Sequence, residues 1–361
     1  MTPANVVNIF LDLVQIDSPS GHESEVSKYI CVYLTKLGIT NFVDKTGNVV
    51  ASISGSKESA PILLCAHMDT VEPGRGVKPV ITDGWITSSG DTILGADNKS
   101  AIAIILASLN NYIDIPIYSR KPLELVFTVS EESENIGAAN LDYSKLRARS
   151  GYLFDSSGSI GDISIAAPAY VRFEIEVIGK TAHASRPQES INVINTLSKL
   201  LSYIKTGFID AETLVNIGTV RAGDSTNSVP GTATIIGEIR SMNEQNINNI
   251  VIKFEKYLKK LNSNSKVKIL LKTIRENGAI NLSATDPFVL DSLKIVRNHF
   301  PVATTKVSWG CSDANIFIDH SIVMLNIVDG SMYHHALEET ITIDSLHQMV
   351  GLVTSLITLH S

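Results

Sequence analysis

The chain has 361 residues, enough for two domains, since a single hydrophobic core rarely keeps growing beyond about 250–300 residues. Its 30 Lys and Arg stand against 37 Asp and Glu, a net charge of −7, so no basic footprint for nucleic acid is present, while acidic clusters for cations remain open. Cys31, Cys65 and Cys311 are odd in number and scattered without CxxC spacing, which fits reduced thiols in a cytoplasmic protein better than a disulfide framework.

The opening MTPANVVNIFLDLVQIDSPS places Asn, Asp and Gln among its apolar positions and lacks a basic start, so it does not read as a signal peptide. No apolar run approaches the ~18 residues of a membrane span, and no membrane association is expected. From Ala4 to Ile16, Val6, Val7, Phe10, Leu11 and Val14 recur at helical spacing, and Ser18, Pro19 and Gly21 stop the pattern. A second amphipathic helix is expected over Glu23 to Leu37, then a strand between Gly47 and Gly55.

The stretch Ile62 to Val71, ILLCAHMDTV, reads as a buried strand with His67 and Asp69 leaving its carboxyl end on one side, where open α/β sheets place their ligands. By itself such a histidine is ordinarily a satisfied structural residue. A turn-rich stretch from Glu72 to Gly90 follows, then GADNKSA, which puts Asp97 at a loop-to-helix junction, where a helix cap is the ordinary reading. LELVFTV, Leu123 to Val129, is a second buried strand and runs into SEESENIGA with Glu131 and Glu132 adjacent; GYLF, from Gly151, is a third and ends at Asp155. Strand, helix, strand order predicts an α/β sheet flanked by helices, with right-handed crossovers bringing these carboxyl ends to one edge.

From about Ala167 the pattern changes to alternating strands, AYVRFEIEVIG, TLVNIGTVRAG, GTATIIGEIRS and SKVKILLKTI, with helices expected over Ser190 to Ile204 and Ile247 to Leu261. This predicts an inserted α+β domain with an antiparallel sheet over residues 167–280, between catalytic segments 1–166 and 281–361. The second segment carries a helix from Pro287 to Asn298, a buried strand from Ile322 to Ile327 and a last helix from Ile343 to Leu359.

His67, Asp97, Glu131, Glu132, Asp155 and a late histidine form an oxygen-and-nitrogen donor set suited to zinc, manganese or cobalt. Carboxylates converging without positive partners repel one another, so a cation is their simplest explanation, and two divalent ions fit the count better than one.

The ordered series CAHMDTVEPG, GADNKSA, SEESENIGA, FDSSG, GKTAHASRP, STNSVPG and GEIRS resembles the motifs of the cocatalytic-zinc exopeptidase family, which includes peptidase T, glutamate carboxypeptidase, aminoacylase and succinyl-diaminopimelate desuccinylase. WGCSDANIF is similar to a segment of its peptidase T-like tripeptidases. The resemblance implies a zinc-exopeptidase-like catalytic domain with a mixed central sheet, and an inserted dimerisation or lid domain. It makes His67 and Asp155 ligands of one metal, Asp97 a bridge, and Glu132 with a late histidine the ligands of the second.

His334 and His335 both qualify as that histidine; the spacing of His335, Glu339 and Ile341 matches the family and favours His335. Glu131 becomes the general base for a water between the two ions, and Asp69 the residue that orients His67. The resemblance sends His183 into the active site of a partner subunit to help stabilise an oxyanion, which implies a homodimer. Asn227 and Arg240 match substrate-binding positions, Arg240 suiting a carboxylate.

Two departures stand out: Asn98 replaces a second Asp of many members, and WGCSDANIF lacks the arginine that precedes the glycines in peptidase T proper. The expected activity is tripeptide aminopeptidase. The alternatives are a deacylase of N-acyl amino acids or a carboxypeptidase with the same fold, and, more remotely, a non-catalytic metal-containing binding protein.

Overall fold

The computed structural model describes residues 5–56, 59–263 and 266–359; Ala4 and Ser265, included in the predicted elements above, lie outside them. The chain divides into two compact units, Met1–Ala166 with Asn281–Ser361, and Ala167–Ile280.

The first unit is built on a mixed sheet. The strands of this unit in chain order are β1 (Thr40–Val43), β2 (Val49–Ile53), β3 (Ile62–His67), β4 (Pro79–Thr82), β5 (Trp85–Ser88), β6 (Leu123–Thr128), β7 (Ser150–Leu153) and β8 (Ile163–Ala167), followed late in the chain by Thr305–Val307, Val323–Ile327 and Thr340–Thr342; β4 and β5 lie outside the mixed sheet. The sheet runs from β1 through β2, β6, β3, β7 and Val323–Ile327 to β8, beside which Thr305–Val307 lies parallel. β3 is parallel to both β6 and β7, and Val323–Ile327 is parallel to β7, whereas β1, β2 and β8 join antiparallel at the margins. Every residue of β3 and β6 is buried, as expected of central strands covered on both faces.

Helices α1 (Val6–Val14), α2 (Ser24–Lys36) and α3 (Ala96–Tyr112) precede the closing helix Ile343–Leu359. α1 is capped by the Asn5 side chain, which accepts the Val7 N–H at 3.0 Å, and it buries Val6, Val7, Ile9, Phe10, Leu13 and Val14. The closing helix contributes Leu346, Met349, Leu352, Val353, Leu356 and Ile357, all fully buried, to the same core as α1, α3 and the sheet. At about 1.5–3 kcal/mol for each buried aliphatic side chain, this face ties the C-terminal segment to the N-terminal sheet. A small antiparallel sheet of Thr340–Thr342, β5 and β4 forms from the turn-rich stretch.

The second unit is a five-stranded antiparallel sheet in the order Gly207–Phe208, Thr213–Ala222, Thr232–Ser241, Ala169–Ile178, Lys268–Asn277. Ala169–Ile178 and Thr232–Ser241 alternate buried and half-buried residues, the mark of a sheet packed on one face. The buried side meets Leu197 and Leu200 of one helix and Ile247, Ile250, Phe254 and Leu258 of the other.

Some element ends differ from expectation. The helix expected from Ser190 begins at Ile194, because Ile191 bridges to Lys180 and the Asn192 side chain accepts the Ile194 N–H. The helix expected from Ile247 starts earlier, at Glu244, behind an Asn243 side chain that accepts the Gln245 N–H. A short helix, Asp313–Asp319, lies within WGCSDANIF and is fixed by a capping box between Ser312 and Asn315. Among the described residues, no helix is long and apolar enough to cross a membrane.

Candidate metal centre

Three adjacent parallel strands carry the acidic and imidazole residues to one edge. Ile62 of β3 faces Leu123 of β6 and Ser150 of β7, so the strands start level and run out together past His67, Thr128 and Leu153. Asp69, Glu131, Glu132 and Asp155 follow within a few residues. α3 brings in Asp97 from the same side of the fold, though not as a helix cap: Asp97 and Asn98 have non-helical backbone angles, and no side-chain cap bond is made there.

His67, Asp97 and Asp155 offer one ligand atom each within 4.8 Å of one another; so do Asp97, Glu132 and His335. The two clusters share Asp97, and its two oxygens divide between them. Oδ1 lies 3.1 Å from His67 Nε2, and Oδ2 lies 3.4 Å from His335 Nε2. His335 Nε2 is also 2.6 Å from Glu132 Oε1. Glu131 stands outside both clusters but within reach of His67 and Glu132 in a third.

His334 stays at the margin. Its Nε2 is taken by the Ser331 hydroxyl at 2.8 Å, while Nδ1 lies 3.4 Å from Asp97 Oδ2. His335, which has the left-handed φ of 63°, is half exposed.

Electrostatics support a cation here. Burial, then the charge of Asp155, pushes the Glu131 carboxyl well up, and burial, then Asp97, does the same to Asp155. Burial also opposes ionisation of Asp97, but hydrogen bonds from His335 and His67 overcome it and hold that carboxyl low. His335 is pushed up to about 10, first by its bond to Asp97 and then by Glu132. Glu131, Asp155 and His335 are all biased toward their protonated forms, which marks a pocket short of positive charge. Oxygen and imidazole donors in that state fit divalent ions, and the residues present are suited to hold two.

The surrounding residues fix these donors. His67 Nδ1 lies 3.0 Å from the Asp69 carbonyl oxygen and 3.4 Å from its Oδ1, so a proton on Nδ1 leaves the Nε2 lone pair free on the Asp97 side. Asp69 does more than orient His67. Its Oδ1 accepts the Glu131 N–H at 2.9 Å, and its Oδ2 accepts the Glu132 N–H at 3.1 Å and the Ser20 hydroxyl at 2.7 Å. A single carboxylate therefore sets the place of both glutamates over the end of β3.

Two further carboxylates support the centre through bonds that no local pattern encodes. Buried Glu23 Oε1 accepts the N–H groups of Gly21 and Ser130 and the Ser130 hydroxyl, pinning the loop after β6. Glu339 Oε2 accepts the Gly95 N–H at 2.6 Å, and its Oε1 accepts the Asp97 N–H at 2.9 Å. The spacing from His335 had marked Glu339, but nothing local gave its job. Gly137 permits the turn that follows Glu131: an added Cβ would come within 2.3 Å of the Val129 carbonyl oxygen and 2.6 Å of Asn48 Oδ1.

The remaining predicted residues lie in the second unit. His183 is exposed on the two-residue strand Ala182–His183, which pairs with Ser228–Val229, and the neighbouring Ala184 N–H donates to the Asn227 carbonyl at 2.8 Å. His183 Nδ1 lies 2.7 Å from the Ser185 hydroxyl. Arg240 is half-buried on Thr232–Ser241, 3.2 Å from Glu238 Oε2 and over the Tyr170 ring at 5.0 Å.

Residues 165–266 match the family described as Peptidase dimerisation domain, and residues 48–202 match Peptidase family M28. The chain is 33% identical to the uncharacterised protein YqjE of Bacillus subtilis, covering 96% of each sequence. The solved structure of aminopeptidase PepT from Bacillus cereus superposes with a TM-score of 0.89 at 31% identity, covering 99% of this chain and 98% of that one. A tripeptidase from Staphylococcus aureus gives a TM-score of 0.91 at 31% identity with the same coverage.

Proposed function

Because this chain belongs to the M20 peptidase family and is a metallopeptidase hydrolase, we propose that it is an aminopeptidase acting on small peptides, tripeptides among them, with two divalent ions, zinc before manganese or cobalt. The observation that carries this reading is Asp97, whose two oxygens face two separate donor groups. His67 and Asp155 would hold one ion, Glu132 and His335 the other, and Asp97 both; when bound, the ions supply the Lewis acidity that acidifies a shared water.

Glu131 handles the proton. Its Oε1 accepts the Asn135 side-chain N–H at 2.9 Å, which leaves Oε2 to take a proton from the attacking water. The oxygen of that water adds to the amide carbon. As the carbon–nitrogen bond breaks, Glu131 returns the proton to the departing amine nitrogen. Asp69, through the Glu131 and Glu132 N–H groups, keeps the base in place during both transfers.

In the same reading His183 works in the site of a second copy, steadying the negative oxygen that forms on the carbonyl, and Asn227 and Arg240 bind substrate. The match of residues 165–266 to a peptidase dimerisation domain supports a homodimer. The three scattered cysteines, odd in number and without CxxC spacing, suit a reducing, cytoplasmic setting.

The test combines three measurements on the purified full chain: metal content, mass in solution, and hydrolysis of a panel of tripeptides, dipeptides, C-terminally extended peptides and acylated amino acids. Close to two metals per chain, a dimer mass and preference for tripeptides with a free amino terminus are expected. Preference for acylated amino acids moves the assignment to a deacylase, and metal-loaded protein inactive on the whole panel overturns it.

A further inference from the structure

The WGCSDANIF segment has no part in the chemistry described so far, yet one of its residues is joined to the base through two hydrogen bonds. Asn135 Nδ2 donates to Glu131 Oε1 at 2.9 Å and to Asp313 Oδ1 at 3.1 Å. Asp313 Oδ2 in turn accepts the Thr128 hydroxyl at 2.6 Å. Thr128, Asn135 and Asp313 are all buried, at 0%, 8% and 3% exposure. We infer that Asn135 and Asp313 are positioning residues for the Glu131 base, an inference that rests on the proposed hydrolytic function.

The amide group of Asn135 has one nitrogen with two hydrogens and stands between two carboxylates, so its orientation is forced. Turning it over would set the amide oxygen against both acceptors. Asp313 thereby keeps the donor on Glu131 Oε1 and leaves Oε2 for the attacking water. The backbone agrees with this role. Asn135 has a φ of 51°, a left-handed value that asparagine tolerates, and its N–H donates to the Glu131 carbonyl oxygen at 2.9 Å. Base and positioning amide therefore belong to one turn. Asp313 comes from the first turn of the Asp313–Asp319 helix, whose capping box sets its place. A base held in one rotamer loses no time or free energy finding its proton, and misplacement by about 1 Å costs on the order of 100-fold in rate.

The experiment uses Asn135→Gly, which keeps the left-handed backbone, together with Asp313→Ala and Asp313→Asn in the metal-loaded full chain. Metal content and thermal midpoint are measured beside kcat and KM. Asn135→Gly and Asp313→Ala should lower kcat by roughly 10-fold to 100-fold with KM and metal content unchanged. Asp313→Asn should retain most of kcat, since its amide oxygen can still accept from Asn135 while the Thr128 hydroxyl turns to accept from its nitrogen. Should Asp313→Ala not fold, Asn135→Gly carries the test.

The deciding measurement is made in a Glu131→Gln background, where adding Asn135→Gly should cost nothing further, because the residue acts only through the base. An equal fold-loss in both backgrounds, or a loss confined to metal content, overturns the inference. Wild-type protein that hydrolyses nothing, or a fully active Glu131→Gln, would instead defeat the hydrolytic reading and take this inference with it.

Discussion

The Glu339 carboxylate holds the backbone N–H of Asp97 at 2.9 Å across 242 positions of sequence. Its other oxygen takes the Gly95 N–H, and burial leaves the carboxyl with a pKa of about 7 despite both donors. The loop that presents Asp97 to two histidines is thus held from the far end of the chain. Glu339→Ala should leave two buried N–H groups without partners, at about 1–3 kcal/mol each, read as a lower thermal midpoint. Metal content should fall with it, because Asp97 loses its fixed place. Unchanged metal affinity in this variant would separate the loop anchor from the metal centre.

Glu131 and Glu132 are adjacent but should fail in different ways. Glu131→Gln should keep close to the wild-type metal content and lose about 100-fold to 10,000-fold in kcat. Glu132→Ala should lose metal first, since its Oε1 sits 2.6 Å from His335 Nε2 in one donor cluster. Elemental analysis beside initial rates checks both.

Chelation should abolish hydrolysis and lower the thermal midpoint together. The buried carboxylates of Glu131 and Asp155 would then lack the positive charge that offsets their burial. An ion present at about 1,000 times its dissociation constant contributes about 4 kcal/mol of stability, all of it lost on removal. Restoring zinc, manganese or cobalt in turn and recording midpoint and rate ranks the metals.

Gly137→Ala should destabilise the first unit by about 1–3 kcal/mol or more, since the added methyl meets backbone as well as the Asn48 side chain. Activity per folded molecule should drop too, because the turn beside Glu131 must shift to relieve the contact. A variant of normal midpoint and rate would show that the turn has slack.

How far the sequence could be read depended on where a residue's partners lie. His67, Glu131, Glu132 and Asp155 were legible because each follows the end of an apolar run, and parallel neighbours bring such ends together. Asp97 was harder, since a carboxylate at a helix start has an ordinary capping use that the backbone there does not make. The supporting bonds could not be read at all. Glu23 meets Ser130 across 107 positions and Asn135 meets Asp313 across 178, and no local period or motif encodes such pairs. The breadth of Asp69's role was hidden for the same reason, its amide donors lying 62 and 63 positions away.

The donors in the two clusters that share Asp97 run from position 67 to position 335, with residues 167–280 forming a separate unit in between. During synthesis His67, Asp97, Glu132 and Asp155 emerge before the inserted unit, and His335 and the Glu339 anchor only after it. Domains generally fold as they emerge, so the inserted unit can complete its own core while its host still waits for a closing helix. Metal selection thus becomes a step that waits on the inserted unit, and a ribosome stalled before His335 would carry His67, Asp97, Glu132 and Asp155 with the second donor cluster incomplete.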